Sequence, residues 1–106
     1  MKFGLSNEDL NEIVQIISAF DAIEKAVLFG SRAKGKFKPG SDIDIAIYGD
    51  KINFHVVSKL HAQLEDNSKM PYLFDIVDGT HLTNLELRNH IEQVGQIIFS
   101  KSAPKL

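Results

Sequence analysis

Cysteine is absent from the 106 residues. That excludes disulfides, thiolate zinc sites and cysteine nucleophiles, and it suits a reducing compartment. Charge of one sign is scarcely in excess: 12 basic against 14 acidic residues leave a net charge of -2. Strong nonspecific nucleic-acid binding rests on neutralising phosphates, so this balance disfavours it while leaving a local basic patch open. No apolar run approaches the length of a membrane span. The segment from Met1 to Asp9 turns acidic too early for a signal peptide, so the expected location is the cytoplasm. Internal repeats and low-complexity stretches are missing. The histidines are His55, His61, His81 and His90. They form no His-x-x-x-His pair, so no zinc site is expected, and none of the four is assigned a role.

What is present suffices for one core. A hydrophobic content of 43% over 106 residues implies one small domain, residues 1–106, with little room for a second one, so a substrate-recognition module is expected to come from elsewhere. Apolar residues at Leu10, Ile13, Ile17 and Phe20 predict a helix over about Asn7–Phe20, with Ser6 as N-cap. The unbroken apolar run Ala26–Phe29 predicts a strand, Lys25–Phe29, covered on both faces. A brief helix from Ser31 to Lys34 follows, and Gly35 to Gly40, with Pro39, reads as a loop. From Asp42 to Tyr48 the residues alternate, with Ile43, Ile45 and Ile47 on one face and Asp42, Asp44, Ala46 and Tyr48 on the other. A helix is expected over Asn53–Asp66 and a strand over Tyr72–Val77. A last helix is expected over Thr83–Val94, opened by a Thr83–Glu86 capping box and a Leu82–Leu87 staple. Ile97–Phe99 reads as an edge strand that closes the sheet or pairs with a second copy in a homo-oligomer. Ser100 to Leu106 reads as a frayed tail.

Three features carry chemistry. Asp42 and Asp44 lie two apart on one strand face, about 6.6 Å along it, so their carboxylates can share a cation. Magnesium takes oxygen ligands and keeps water and phosphate in its shell, so it needs few protein carboxylates. Without a cation the pair repels and one member tends to hold a proton. Asp75 sits between Phe74 and Ile76, where a charge needs a partner; on a neighbouring strand it completes a three-carboxylate site. Gly30-Ser31 follows a buried strand, where glycine permits close backbone approach and serine can cap a short helix facing an anion. Arg32, Lys34, Lys36 and Lys38 lie beside it and could screen a triphosphate. Each feature also has an ordinary structural reading: a solvent-facing strand end, a common turn, a solvated loop.

Taken together, Gly30-Ser31-Arg32-Ala33-Lys34-Gly35, then Ser41-Asp42-Ile43-Asp44-Ile45-Ala46, then Phe74-Asp75-Ile76-Val77 resemble the minimal nucleotidyltransferases of the polymerase-β-like superfamily. The resemblance implies an α/β (α+β) fold, a small mixed sheet flanked by helices. It implies transfer of a nucleoside monophosphate, AMP from ATP, to a hydroxyl, using two magnesium ions (or manganese) and releasing pyrophosphate. Asp42, Asp44 and Asp75 would hold metal and carry catalysis, and Gly30, Ser31 and Arg32 would bind nucleotide. It implies a helical HEPN-domain partner in a toxin–antitoxin pair. The alternative is a module that neutralises such a partner by contact, with weak or no catalysis. Transfer to a small molecule or to RNA is disfavoured by the short chain.

Overall fold

The computed structural model describes residues 2–66 and 68–101. Its elements run α1 (Asn7–Ser18), β1 (Lys25–Phe29), α2 (Gly30–Lys34), β2 (Ile43–Tyr48), α3 (Phe54–Glu65), β3 (Phe74–Asp78), α4 (Leu85–Val94) and β4 (Gln96–Ser100). The four strands form one mixed sheet in the order β3-β2-β1-β4. β1 pairs antiparallel with both β2 and β4, and β2 pairs parallel with β3. The parallel pair needs a crossover, and α3 supplies it. This is the small mixed sheet with flanking helices that the sequence predicts.

Each sheet face has its own core. Ile43, Ile45 and Ile47 pack with Ile13 and Ile17 of α1 and Leu60 and Leu64 of α3. Val27, Phe29 and Ala46 pack on the opposite face with Ile91 of α4. β1 is central and covered on both sides, so its residues from Ala26 to Phe29 are all buried. β2 alternates because its second face is only partly covered, and Asp44 and Tyr48 stay half-exposed there.

Element boundaries moved where side chains claimed the terminal backbone groups. α1 opens as expected, with the Asp9 N–H donating to Ser6 Oγ at 3.0 Å, but it ends at Ser18 rather than Phe20. α4 begins two residues later than expected: the Leu87 N–H donates to Asn84 Oδ1 at 3.0 Å, so Asn84 and not Thr83 is the N-cap. The Thr83–Glu86 capping box therefore does not form. Leu82 and Leu87 each pack against the second core. β3 starts at Phe74 instead of Tyr72, where the Phe74 N–H donates to Glu65 Oε2 at 2.7 Å. β4 covers the expected Ile97–Phe99 and runs on to Ser100, which is therefore strand rather than fraying tail. The rest of that tail, 102–106, lies outside the described residues. Among the described residues no helix is long and apolar enough to cross a membrane.

The shifted cap has a measurable consequence. Asn84→Ala should lower unfolding free energy by about 1 kcal/mol, the usual worth of an N-cap. Thr83→Ala should change it by less than about 0.5 kcal/mol. Urea denaturation of the two variants checks this.

Candidate active site

Strand register sets two of the three aspartates side by side, and Asp42 lies near enough for its charge to act on Asp44. Asp44 of β2 is the direct partner of Asp75 on β3, and Phe29 of β1 is its partner on the other side. Side chains alternate along a strand, so Asp44 and Asp75 project from the same face. That is the face on which Phe29, Ala46 and α4 pack. Asp42 lies one residue before β2 rather than within it, because the ladder begins with the Ile43 N–H donating to the Leu73 carbonyl at 2.9 Å. Asp42 and Asp75 are exposed, and Asp44 is half-buried.

The charges are not independent. The Asp44 carboxyl is pushed up from 3.8 to about 6, first by burial, then by the negative charge of Asp75, then by that of Asp42. All three causes disfavour its ionised form, and a cation among the carboxylates would offset the last two. Among the described residues no group of three or more acidic, histidine or cysteine side chains is gathered closely enough to hold a metal by itself. The site is an open face with oxygen donors, not a closed protein cage.

Gly30 presses its backbone against this face. It has φ +78°, in the left-handed region, and a Cβ placed there would collide with Asp44 Oδ2. Glycine is required on both counts: the backbone conformation and the space. Ser31 follows in the first turn of α2, half-exposed. It is not the N-cap expected from the sequence; that position is Phe29, and no side chain caps the helix there. α2 closes at Gly35, whose φ of +76° lets its N–H return to the Arg32 carbonyl at 3.3 Å.

Arg32 is not on this face. Its side chain is only 3% exposed. Nε and Nη2 donate to the Ser41 carbonyl at 3.0 and 2.9 Å, and Nη1 donates to the Phe3 carbonyl at 2.8 Å. The Phe37 and Tyr72 rings each lie 5.1 Å from the guanidinium carbon. The guanidinium is thus a brace that ties the loop before Asp42 to α2 and to the N-terminal segment, and the expected contact with a triphosphate is not formed by this geometry. Gly4, Arg32, Phe37, Pro39, Gly40 and Tyr72 line a cleft of about 570 Å³. None of the aspartates borders it, so it is separate from the carboxylate face. Lys34, Lys36 and Lys38 are exposed on α2 and the following loop.

One residue at the site escaped the sequence reading. The Gly30 N–H donates to His90 Nε2 at 3.2 Å. The ring also meets Phe29 edge-on, with centroids 6.0 Å apart and planes at 81°. His90 is 60 positions away in the chain, and only the packing of α4 on β1 brings it there.

The family model described as polymerase beta, nucleotidyltransferase, matches residues 11–104. No curated protein matches the chain by sequence. Among solved structures, the fold is similar to that in a complex of a tri-AMPylated HEPN toxin from Shewanella oneidensis with an MNT antitoxin. That match has a TM-score of 0.69 at 18% identity, covering 92% of this chain and 74% of that one. A toxin–antitoxin structure with AMP-PNP gives a TM-score of 0.71 at 19% identity, covering 92% of this chain and 75% of that one. The toxin–antitoxin MntA–HepT gives 0.69 at 18%, covering 91% and 74%.

Two outcomes follow from the site's electrostatics. An acid whose folded pKa lies above its unfolded value binds more protons when folded, between about pH 4 and pH 6 here, so stability falls as pH rises through that window. Asp44→Asn removes the titrating group. Its Tm should match that of the unsubstituted protein near pH 4 and exceed it by about 2–5 °C at pH 7, as read by thermal melts across pH. Arg32→Lys cannot reproduce the planar fork and should cost about 1–3 kcal/mol in urea denaturation; an exposed phosphate ligand would cost almost nothing.

Proposed function

The chain belongs to the polymerase beta nucleotidyltransferase family, and we propose that it transfers AMP from ATP to a hydroxyl of a protein partner, releasing pyrophosphate. The observation that carries this reading is the register that sets Asp44 opposite Asp75, with a side-chain-free Gly30 against Asp44. A backbone that approaches a carboxylate face this closely leaves room for a phosphate beside a cation.

The donor chemistry fits magnesium. Three carboxylates provide hard oxygen ligands, and the proton affinity of Asp44 is raised by burial and then by the negative charges of Asp75 and Asp42. An open set of carboxylates suits an ion that keeps water and substrate phosphates in its shell. Asp42 and Asp44 would hold two such ions, or manganese, and Asp75 would share the catalytic one; bound there, the ions would neutralise the triphosphate and lower the pKa of the acceptor hydroxyl.

The chain's own groups do the rest. Gly30 and Ser31 line the triphosphate. Arg32 acts on the nucleotide indirectly, by bracing the loop that delivers Asp42. Lys34, Lys36 and Lys38 draw an anionic nucleotide toward the face. Asp75, exposed at the end of the row, accepts the hydroxyl proton. Catalysis then consists mainly of alignment for in-line attack at the α-phosphorus and of charge compensation.

Apart from Asp75, the groups named above all serve the donor nucleotide, and a partner would bring the acceptor hydroxyl. We infer a helical HEPN toxin in a cytoplasmic toxin–antitoxin pair. This fold is shared with structures of such complexes, one with an AMPylated toxin and one with AMP-PNP.

The test is magnesium-dependent labelling of a co-purified HEPN partner by α-labelled ATP. Asp42→Asn combined with Asp44→Asn should reduce labelling by at least about a hundredfold while the complex stays intact. Absence of labelling by the unsubstituted pair would leave neutralisation by contact as the function. Labelling that survives the double substitution would overturn the site assignment.

A further inference from the structure

We propose that His90 is a positioning residue of the nucleotide site, acting through the Gly30 peptide on Asp44. The inference rests on the nucleotidyltransferase reading above and adds a residue from the far end of the chain to it.

The contacts form a line of three groups. The Gly30 N–H donates to His90 Nε2 at 3.2 Å. The Cα of Gly30 lies against Asp44, so closely that a Cβ there would overlap Oδ2. Asp44 in turn faces Asp75 across the parallel strand pair. A backbone N–H only donates, so Nε2 must present its lone pair, which places the ring proton on Nδ1. The imidazole is also fixed laterally by its edge-on contact with Phe29. His90 therefore touches both residues of the Phe29–Gly30 peptide, at the point where β1 gives way to α2.

The helix that carries the ring is well anchored. Ile91, the next residue on α4, is buried in the second core with Val27, Phe29 and Ala46. Asn84 caps the start of the same helix. Rigid support is what a positioning group needs.

The acceptor matters because of what else lies near. Gly30 combines a left-handed backbone with no side chain, so no side chain of its own helps to hold its peptide plane. Asp44 Oδ2 is the anionic group that lies against Gly30, so with His90 removed it becomes the competing acceptor for that N–H. A bond to that carboxylate would occupy an oxygen needed by the cation and tilt the peptide that leads into Ser31. With Nε2 as acceptor, Asp44 keeps its oxygens for the cation and the Gly30-Ser31 backbone stays turned to the phosphates.

The test separates the acceptor from the ring. His90→Phe keeps an aromatic edge against Phe29 and removes the acceptor, whereas His90→Gln places an amide oxygen near the position of Nε2. Binding of magnesium–AMP-PNP to the full chain is measured by calorimetry, with thermal melts of each variant. His90→Phe should weaken binding about tenfold and His90→Gln by less than about threefold, the scale of one hydrogen bond lost or kept. Equal binding by His90→Phe and the unsubstituted chain overturns the inference and leaves the nucleotide reading standing. So does equal weakening by both variants with unchanged melting. If the unsubstituted chain binds no magnesium–AMP-PNP, or Asp42→Asn with Asp44→Asn binds as well as it does, the nucleotide reading itself fails. Should His90→Phe not fold, ring nitrogen NMR of the unsubstituted protein decides: an unprotonated Nε2 coupled to the Gly30 amide supports the inference, and a protonated Nε2 at neutral pH overturns it.

Discussion

The site depends on the register of β2 between its two neighbours. β2 pairs antiparallel with β1 and parallel with β3, and the two registers meet at Asp44, which has Phe29 on one side and Asp75 on the other. A shift of one residue in either ladder would turn Asp44 toward the isoleucine core and break the grouping. The cores hold that register. Ile43, Ile45 and Ile47 are fully buried on one face, so a slip would exchange three isoleucines for Asp44, Ala46 and Tyr48. Apolar burial on one face thus fixes where charge gathers on the other.

That gathering is costly unless something offsets it. Asp44 is half-buried and close enough to two other carboxylates for its proton affinity to rise. Among the described residues the ion pairs join His61 to Glu65 and His81 to Asp78, and none reaches Asp42, Asp44 or Asp75. Arg32, the nearest arginine in sequence, is spent on backbone carbonyls and aromatic rings behind it. The chain therefore keeps a permanent positive charge out of the carboxylate row and uses it to hold the loop that carries Asp42. A site of uncompensated carboxylates is suited to exogenous cations and to an anionic substrate that arrives with them.

The two helical layers have different duties. α1 and α3 bury the isoleucine face and make the sheet stable. α4 covers the other face only in part, packing Ile91 on Val27, Phe29 and Ala46 and leaving Asp44 and Asp75 accessible. Partial cover gives the carboxylates both support and access. It also lets α4 place His90 against Gly30 while Asp75 stays exposed.

Sequence alone determined the strand and helix order and put Asp44 on the strand face opposite the isoleucines, because alternation and apolar runs report which faces are buried; the mixed sheet was implied by the motif resemblance, and the pairing of Asp44 with Asp75 came from the strand register. Sequence also located Gly30, since a glycine directly after a buried strand marks a close approach. Helix α4 began two residues late because Thr83 and Asn84 are both good N-caps and only the formed bond to Leu87 chooses between them. Arg32 was misplaced for a related reason: a basic residue beside Gly-Ser is equally able to face a phosphate or turn inward, and the choice rests on the Ser41 and Phe3 carbonyls that folding brings to it. His90 carried no signal at all. Local pattern records what each residue type can do within a few positions, whereas the partner of a directional hydrogen bond is set by packing across 60 positions of chain; only the tertiary structure decided that.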